Sequence, residues 1–161
     1  MAELTTLEEK LAEVTGLARA AKDLSEKVAG MVDDERIADR LDRMRKEAVE
    51  TDERCAKVID RHEGTKTAIM EKAQETKSEA SEMASTYLGE DSDALDGLEF
   101  MTMAEAGEVG HWAILGKLNE KAGDEEIAEL VDWALPIQER HFSDVKEGSL
   151  TLAAEEDPAS S

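Results

Sequence analysis

Polar residues that interrupt an apolar helical stripe are where this sequence could do chemistry. A buried carboxylate or imidazole is costly unless it is paired, protonated or bound to a metal. The densest such group is Glu105, Glu108 and His111 in one segment with Gln138 and His141 in another. Glu108-Val-Gly-His111 is a Glu-x-x-His step, and at that spacing both side chains leave one face of a helix and can share an ion. Gly123 lies midway: Glu108 precedes it by 15 residues and Gln138 follows it by 15. If Gly123 is the turn of an antiparallel hairpin, Glu108, His111, Gln138 and His141 come level in one polar layer near mid-bundle, with Glu105 on its flank. Two imidazoles, one or two carboxylates and an amide are a ligand set for Fe, Mn or Zn. The alternative is a buried hydrogen-bonded cluster that holds no metal.

Two other reactive residues have plainer readings. His62, beside Gly64, is expected to cap a helix or lie partly exposed. Cys55 is the sole cysteine, so it forms no intrachain disulfide or Cys-cluster site and reads as a small core residue. The Met residues, Trp112 and Trp133 read as core filler.

The elements that must position these residues follow from hydrophobic periodicity. Leu4, Leu7, Leu11, Val14, Ala18, Ala21 and Val28 make one stripe, with Thr5 or Thr6 as cap and Glu8 and Glu9 in the first turn. Ile37, Leu41, Met44, Ala48, Thr51 and Cys55 make a second, started by Asp33 or Asp34. Residues 65–88 carry a weaker stripe, expected to pack on the outside or to cap one end. Gly89–Ser92 is the clearest loop. A fourth helix spans about 94–122, with Met101, Ala104, Glu108, His111, Trp112 and Leu115 on its stripe. The fifth starts at Asp124 and carries Ile127, Leu130, Val131, Ala134, Ile137, Gln138, His141 and Val145. Pro136 is expected to kink it or loosen one turn. Residues 1–153 read as a single helical-bundle domain and 154–161 as a disordered acidic tail.

Composition agrees with long helices. The 161 residues include only 2 Pro and 10 Gly, too few turn formers for a β-sandwich. Forty Asp and Glu against 19 Lys and Arg give a net charge of −21, which argues against nucleic acid or an anionic membrane as partner. No basic leader or long apolar run is visible, so a cytoplasmic protein is expected. The acidity suits a high-salt cytoplasm or an ordinary acidic helical protein.

Several segments resemble the ferritin-like superfamily, most nearly its YciE/YciF-type stress-protein branch. They are Asp93-Ala94-Leu95, Glu105-Ala-Gly-Glu108, Gly116-Lys-Leu-Asn-Glu-Lys-Ala-Gly123 and Ile127-Ala-Glu-Leu-Val131, with Glu50-Thr51 and Glu71-Lys-Ala-Gln-Glu75 earlier in the chain. The similarity spans about residues 35–150. It implies an all-α, ferritin-like four-helix bundle with an additional helix, built from two long hairpins around a carboxylate- and histidine-ligated di-iron-type site. Glu105 and Glu108 match the acidic pair of that family's third core helix, and Gln138 falls where its last helix usually has Glu. The first helix departs, with Val14, Leu17 and Ala18 at mid-height. The second presents Thr51 and Cys55 inward, while Glu50 and Glu53 point off the stripe. A mononuclear or degenerate site is therefore expected, taking Fe or Mn, with an open coordination position for dioxygen or peroxide beside Glu108, His111 and His141. The resemblance implies a metal-binding stress or redox protein, expected to form a homodimer. The competing reading is a non-catalytic acidic interaction or scaffold protein whose polar layer is structural.

Overall fold

A computed structural model describes residues 3–160. Five helices and no strands make up the described residues: α1 (Thr6–Ala29), α2 (Glu35–Ile59), α3 (Lys66–Tyr87), α4 (Ala94–Ala122) and α5 (Glu125–Glu155). The chain is all-α, as its periodicity predicts. The helix starts use local chemistry. Thr5 and Glu8 form a reciprocal capping box on α1, and Asp93 and Asp96 form another on α4. Asp34 and Asp124 each accept two backbone N–H bonds at the starts of α2 and α5. Gly123, at φ 67°, is the left-handed residue that ends α4 and lets α5 fold straight back.

Successive helices alternate in direction. α3 starts beside the first turn of α1, where Thr65 Oγ1 donates to Glu8 Oε2 at 2.5 Å. It then runs parallel to α1, bringing Lys77 to 3.4 Å from Asp23 and Leu88 O to 3.3 Å from Lys27 Nζ. α3 thus carries the chain back along the length of the bundle before α4 descends and α5 returns. α1, α2, α5 and α4 pack in that cyclic order, while α3 lies outside, mainly on α1. The close approach of α3 to α1 depends on Gly16, where a Cβ would stand 2.3 Å from the Ala73 carbonyl oxygen.

The core is divided along its length. One apolar cluster joins Leu11, Val14, Cys55, Ile59, Trp112, Leu115 and Ile127. The other joins Val28, Leu41, Met44, Leu98, Met101 and Val145 at the opposite end. Pro136 is exposed, and α5 runs through it unbroken. α5 continues to Glu155, two residues into the segment 154–161 expected to be disordered; residues 157–160 form an exposed turn, and Ser161 lies outside the described residues. No helix among the described residues is long and apolar enough to cross a membrane.

Candidate functional site

Between the two apolar clusters lies a polar layer. Glu105, Glu108, Gln138 and His141 are 1%, 3%, 1% and 2% exposed. Their burial follows from a strict alternation of three and four residues. On α4 the inward positions are Leu98, Met101, Glu105, Glu108, Trp112, Leu115 and Asn119; on α5 they are Ile127, Val131, Ala134, Gln138, His141 and Val145. A 3.5-residue period keeps one seam facing the bundle axis.

With its amide nitrogen turned toward the carboxylates, Gln138 donates to Glu105 Oε2 at 3.0 Å and Glu108 Oε2 at 3.1 Å. The equal spacing of Glu108 and Gln138 about Gly123 thus corresponds to direct contact. His141 Nδ1 is 4.0 Å from Glu105 Oε2, and its Nε2 is 3.1 Å from Glu47 Oε1. Glu47 is also paired with Arg140 and lies 3.5 Å from Arg43. Three buried polar atoms among the described residues are left without a hydrogen-bond partner: Glu105 Oε1, Trp112 Nε1 one turn along from Glu108, and Arg140 Nε beside Glu47.

Electrostatics follow from burial. Loss of solvation pushes the Glu105 carboxyl up to about 8 and raises Glu108 well above the carboxylate range, the charge of Glu105 adding to the shift at Glu108. Near neutral pH the pair therefore holds protons in the metal-free protein. Burial lowers the pKa of His141, opposed by its hydrogen bond to Glu47, so a neutral imidazole is favoured. Cys55, pushed to about 12 by burial and only partly compensated by Thr15, is an inert thiol.

His111 lies elsewhere. It falls one position before the inward Trp112, its side chain is 39% exposed, Nδ1 is bonded to Gly107 O at 2.8 Å, and Nε2 sits 3.8 Å from Glu13. The spacing of Glu108 and His111 is real, but His111 sits one position outside the seam. His62 joins Glu8, Thr65 and Asp124 at the end of the bundle, 3.2 Å from Glu8 Oε2 and 3.9 Å from Asp124. Burial opposes ionisation of Glu8, but hydrogen bonds from Thr65, Thr5 and His62 outweigh it and lower its pKa.

Glu47 is the residue that stripe reading misses. It sits on the shoulder of α2, beside the inward Ala48, with its side chain 18% exposed. The missing signal was the pairing of α2 with α5, an antiparallel register marked by Arg40–Glu147, Glu47–Arg140 and Arg61–Glu126.

Of the four buried residues, Glu108 borders a groove on the outer side of the bundle. This groove, of about 790 Å³ between α1, α3 and α4, is lined by Leu17, Leu24, Phe100 and Met103 and extends to Glu108 and His111. Among the described residues, no three His, Cys, Asp or Glu are grouped tightly enough to hold a metal ion as they stand. No family model, curated protein or solved structure matches the chain.

Proposed function

We propose that this chain is a ferritin-like stress or redox protein that holds one Fe or Mn ion in its mid-bundle layer, the remnant of a di-metal site. The topology supports the ferritin-like reading: two antiparallel hairpins, α1–α2 and α4–α5, joined by one connection that runs the length of the bundle. The observation that carries the metal reading is the unpartnered Glu105 Oε1, fully buried in a layer that also holds Glu108 and a neutral imidazole.

Glu105, Glu108 and His141 Nδ1 would hold the ion, with Gln138 turning its amide oxygen inward. His111 is left out of the set. Glu47 supports the arrangement. A metal-bound histidine usually donates its other ring N–H to a carboxylate, which fixes the tautomer and orientation, and Glu47 stands at His141 Nε2. At the height of the layer α1 and α2 contribute Thr15, Ala18 and Thr51 inward, which is why a second metal has too few ligands. A bound Fe or Mn would supply a Lewis acid with redox capacity at an open position. The chain's own part is to release two protons from the glutamates, orient His141 through Glu47 and keep bulk water out with the apolar clusters on either side.

Calorimetric titration of metal-free protein with Mn(II) tests this. Saturable binding with proton release, stronger as pH rises and lost in Glu105→Gln and His141→Ala, is expected. No binding at any pH would remove the proposal. A structural polar layer in an acidic interaction or scaffold protein is the second reading, favoured by the two donor bonds that let Gln138 tie both glutamates together without an ion. Homodimerisation belongs to the first proposal. The charge of −21 keeps chains apart at low salt and screening relieves it; light scattering showing monomer throughout a salt series would count against it.

A further inference from the structure

The outer face of α4 departs from the rest of the surface. From Phe100 to Gly116 the only Asp, Glu, Lys or Arg residues are Glu105 and Glu108, and both are buried in the polar layer. The outer face over that stretch therefore carries no acidic or basic group of these types, in a chain in which 37% of residues are charged. His111 stands to one side, turned to Glu13. Met103 and Ile114 are 49% and 48% exposed on this face, and Gly107 lies exposed between them. A Cβ on Gly107 or Gly110 would meet no atom within 4 Å, so nothing inside the chain requires either to be glycine, a residue that weakens a helix interior.

The face is symmetric in its spacing. Met103 lies four residues before Gly107, and Ile114 lies four after Gly110. Glu99 lies eight before the first glycine and Lys117 seven after the second; Asp96 and Lys121 lie eleven before and eleven after. Steps of three and four put all of these in one stripe, opposite the inward Glu105 and Trp112. All four charged residues are exposed. The stripe is thus acidic at one end, basic at the other and apolar between, with Glu99 and Lys117 about 27 Å apart at 1.5 Å per residue. An antiparallel helix bearing the same stripe would set Met103 against Ile114, glycine against glycine, and Asp96 and Glu99 against Lys121 and Lys117. The helix that bears it is α4 of a second copy.

We propose that two copies of this chain pair through the outer face of α4, antiparallel, about a twofold axis midway between Gly107 and Gly110. Each contact is then made twice, as in any isologous interface. The glycines let the two helix backbones approach closely, and Met103 and Ile114 cover one another on either side of them. The acidic end of each helix meets the basic end of the other, which fixes the antiparallel direction. In a molecule of net charge −21, this strip lets two copies meet without setting carboxylate against carboxylate. Lys117 is 2.9 Å from Glu120 within the chain, but the two side chains are 80% and 64% exposed, and such a pair gives way at little cost. The inference rests on the homodimer reading above and supplies its face. It uses no residue of the metal layer.

Sedimentation velocity of the full chain over a concentration series at physiological salt tests it. One helix pair lies at the low end of the roughly 1,200–2,000 Å² of stable interfaces, so a dimer that dissociates on dilution is expected. Ile114→Lys should raise its dissociation constant at least about tenfold by burying an unpaired charge. Leu150→Lys, at a residue 62% exposed on α5, should leave it unchanged. Glu99→Lys and Lys117→Glu should each weaken the dimer by setting like charges together. The double variant, and an equimolar mixture of the two single variants, should restore it. General repulsion predicts the opposite for Glu99→Lys, which makes the chain less acidic. Because these side chains are exposed, circular dichroism should show wild-type helicity in every variant. Monomer at every concentration would overturn the proposal and the homodimer reading together. A dimer that Ile114→Lys leaves intact, or a mixture that fails to restore association, would overturn the face alone. Manganese binding by the Ile114→Lys monomer should match the wild type, so neither result bears on the metal reading.

Discussion

Glu108 shows how a single residue separates the two readings of the polar layer. If Glu105 and Glu108 are kept for a metal at the expense of stability, Glu108→Leu replaces a costly buried acid with a residue that suits the seam. The metal-free protein should then gain roughly 1–4 kcal/mol, the range seen when buried charged groups give way to apolar ones. If the layer is structural, the same change removes one acceptor from Gln138 and costs about 1–3 kcal/mol. Thermal melts with chelator read the sign, and we expect the variant to melt higher. The pH dependence has a definite sign too. The glutamates have folded pKa values above the ordinary 4.5, Glu105 at about 8, so between those values the folded state holds protons that the unfolded state has released. Their contribution to stability is fully present below 4.5 and lost as pH rises toward 8. His141 works the other way, but only below its ordinary value of 6.5. From 6.5 to about 8 the melting temperature of metal-free protein should therefore fall, and the Glu105→Gln/Glu108→Gln variant should show a flatter profile. A wild-type profile that rises over that interval would contradict the burial of the pair.

Most of the helices were legible in the sequence because they carry their own local signals; α3, with a weaker stripe and no side-chain cap at Thr65, carries fewer. Asp34, Asp93 and Asp124 head α2, α4 and α5, and Gly123 ends α4. The seam of α4 was harder to read. Ala104 and His111 each lie one residue from an inward position, and only the spacing from Leu98 through Met101 to Leu115 separates them from Glu105 and Trp112. Hydrophobicity alone cannot separate them, because Ala104 is apolar and Glu105 is not. Glu47 was hidden for another reason: its role depends on Arg140 and His141 of a different helix, and no pattern within α2 records that. Helix packing makes a paired prediction about glycine. Gly16→Ala would drive a methyl against the Ala73 carbonyl and force α3 away from α1, costing about 1–3 kcal/mol as other overpacked sites do. Gly107→Ala, in open space on a helix, should instead stabilise by roughly 0.5–1 kcal/mol. Urea denaturation of the two variants should move the midpoint in opposite directions; equal shifts would contradict the α1–α3 contact.

At the scale of the whole molecule, charge and topology dominate. The acidic excess of 40 over 19 is spread across the outer faces, and many of the ion pairs there are exposed, so they offset little of the mutual repulsion. Added salt should raise the melting temperature by screening that repulsion, and a fall across the range from low to physiological ionic strength would contradict it. The same molecule puts two buried glutamates, a histidine held by Glu47 and an unpartnered oxygen at its midpoint, between two apolar clusters. Our account gives that arrangement a purpose as a metal site. Elemental analysis of the protein as isolated, beside the Glu105→Gln/His141→Ala variant, tests it most directly. The account predicts a single Fe or Mn ion per chain in the wild type and almost none in the variant, with helical content unchanged. A wild type that carries no metal as isolated, and takes up none on dialysis against Fe(II) or Mn(II), would contradict it.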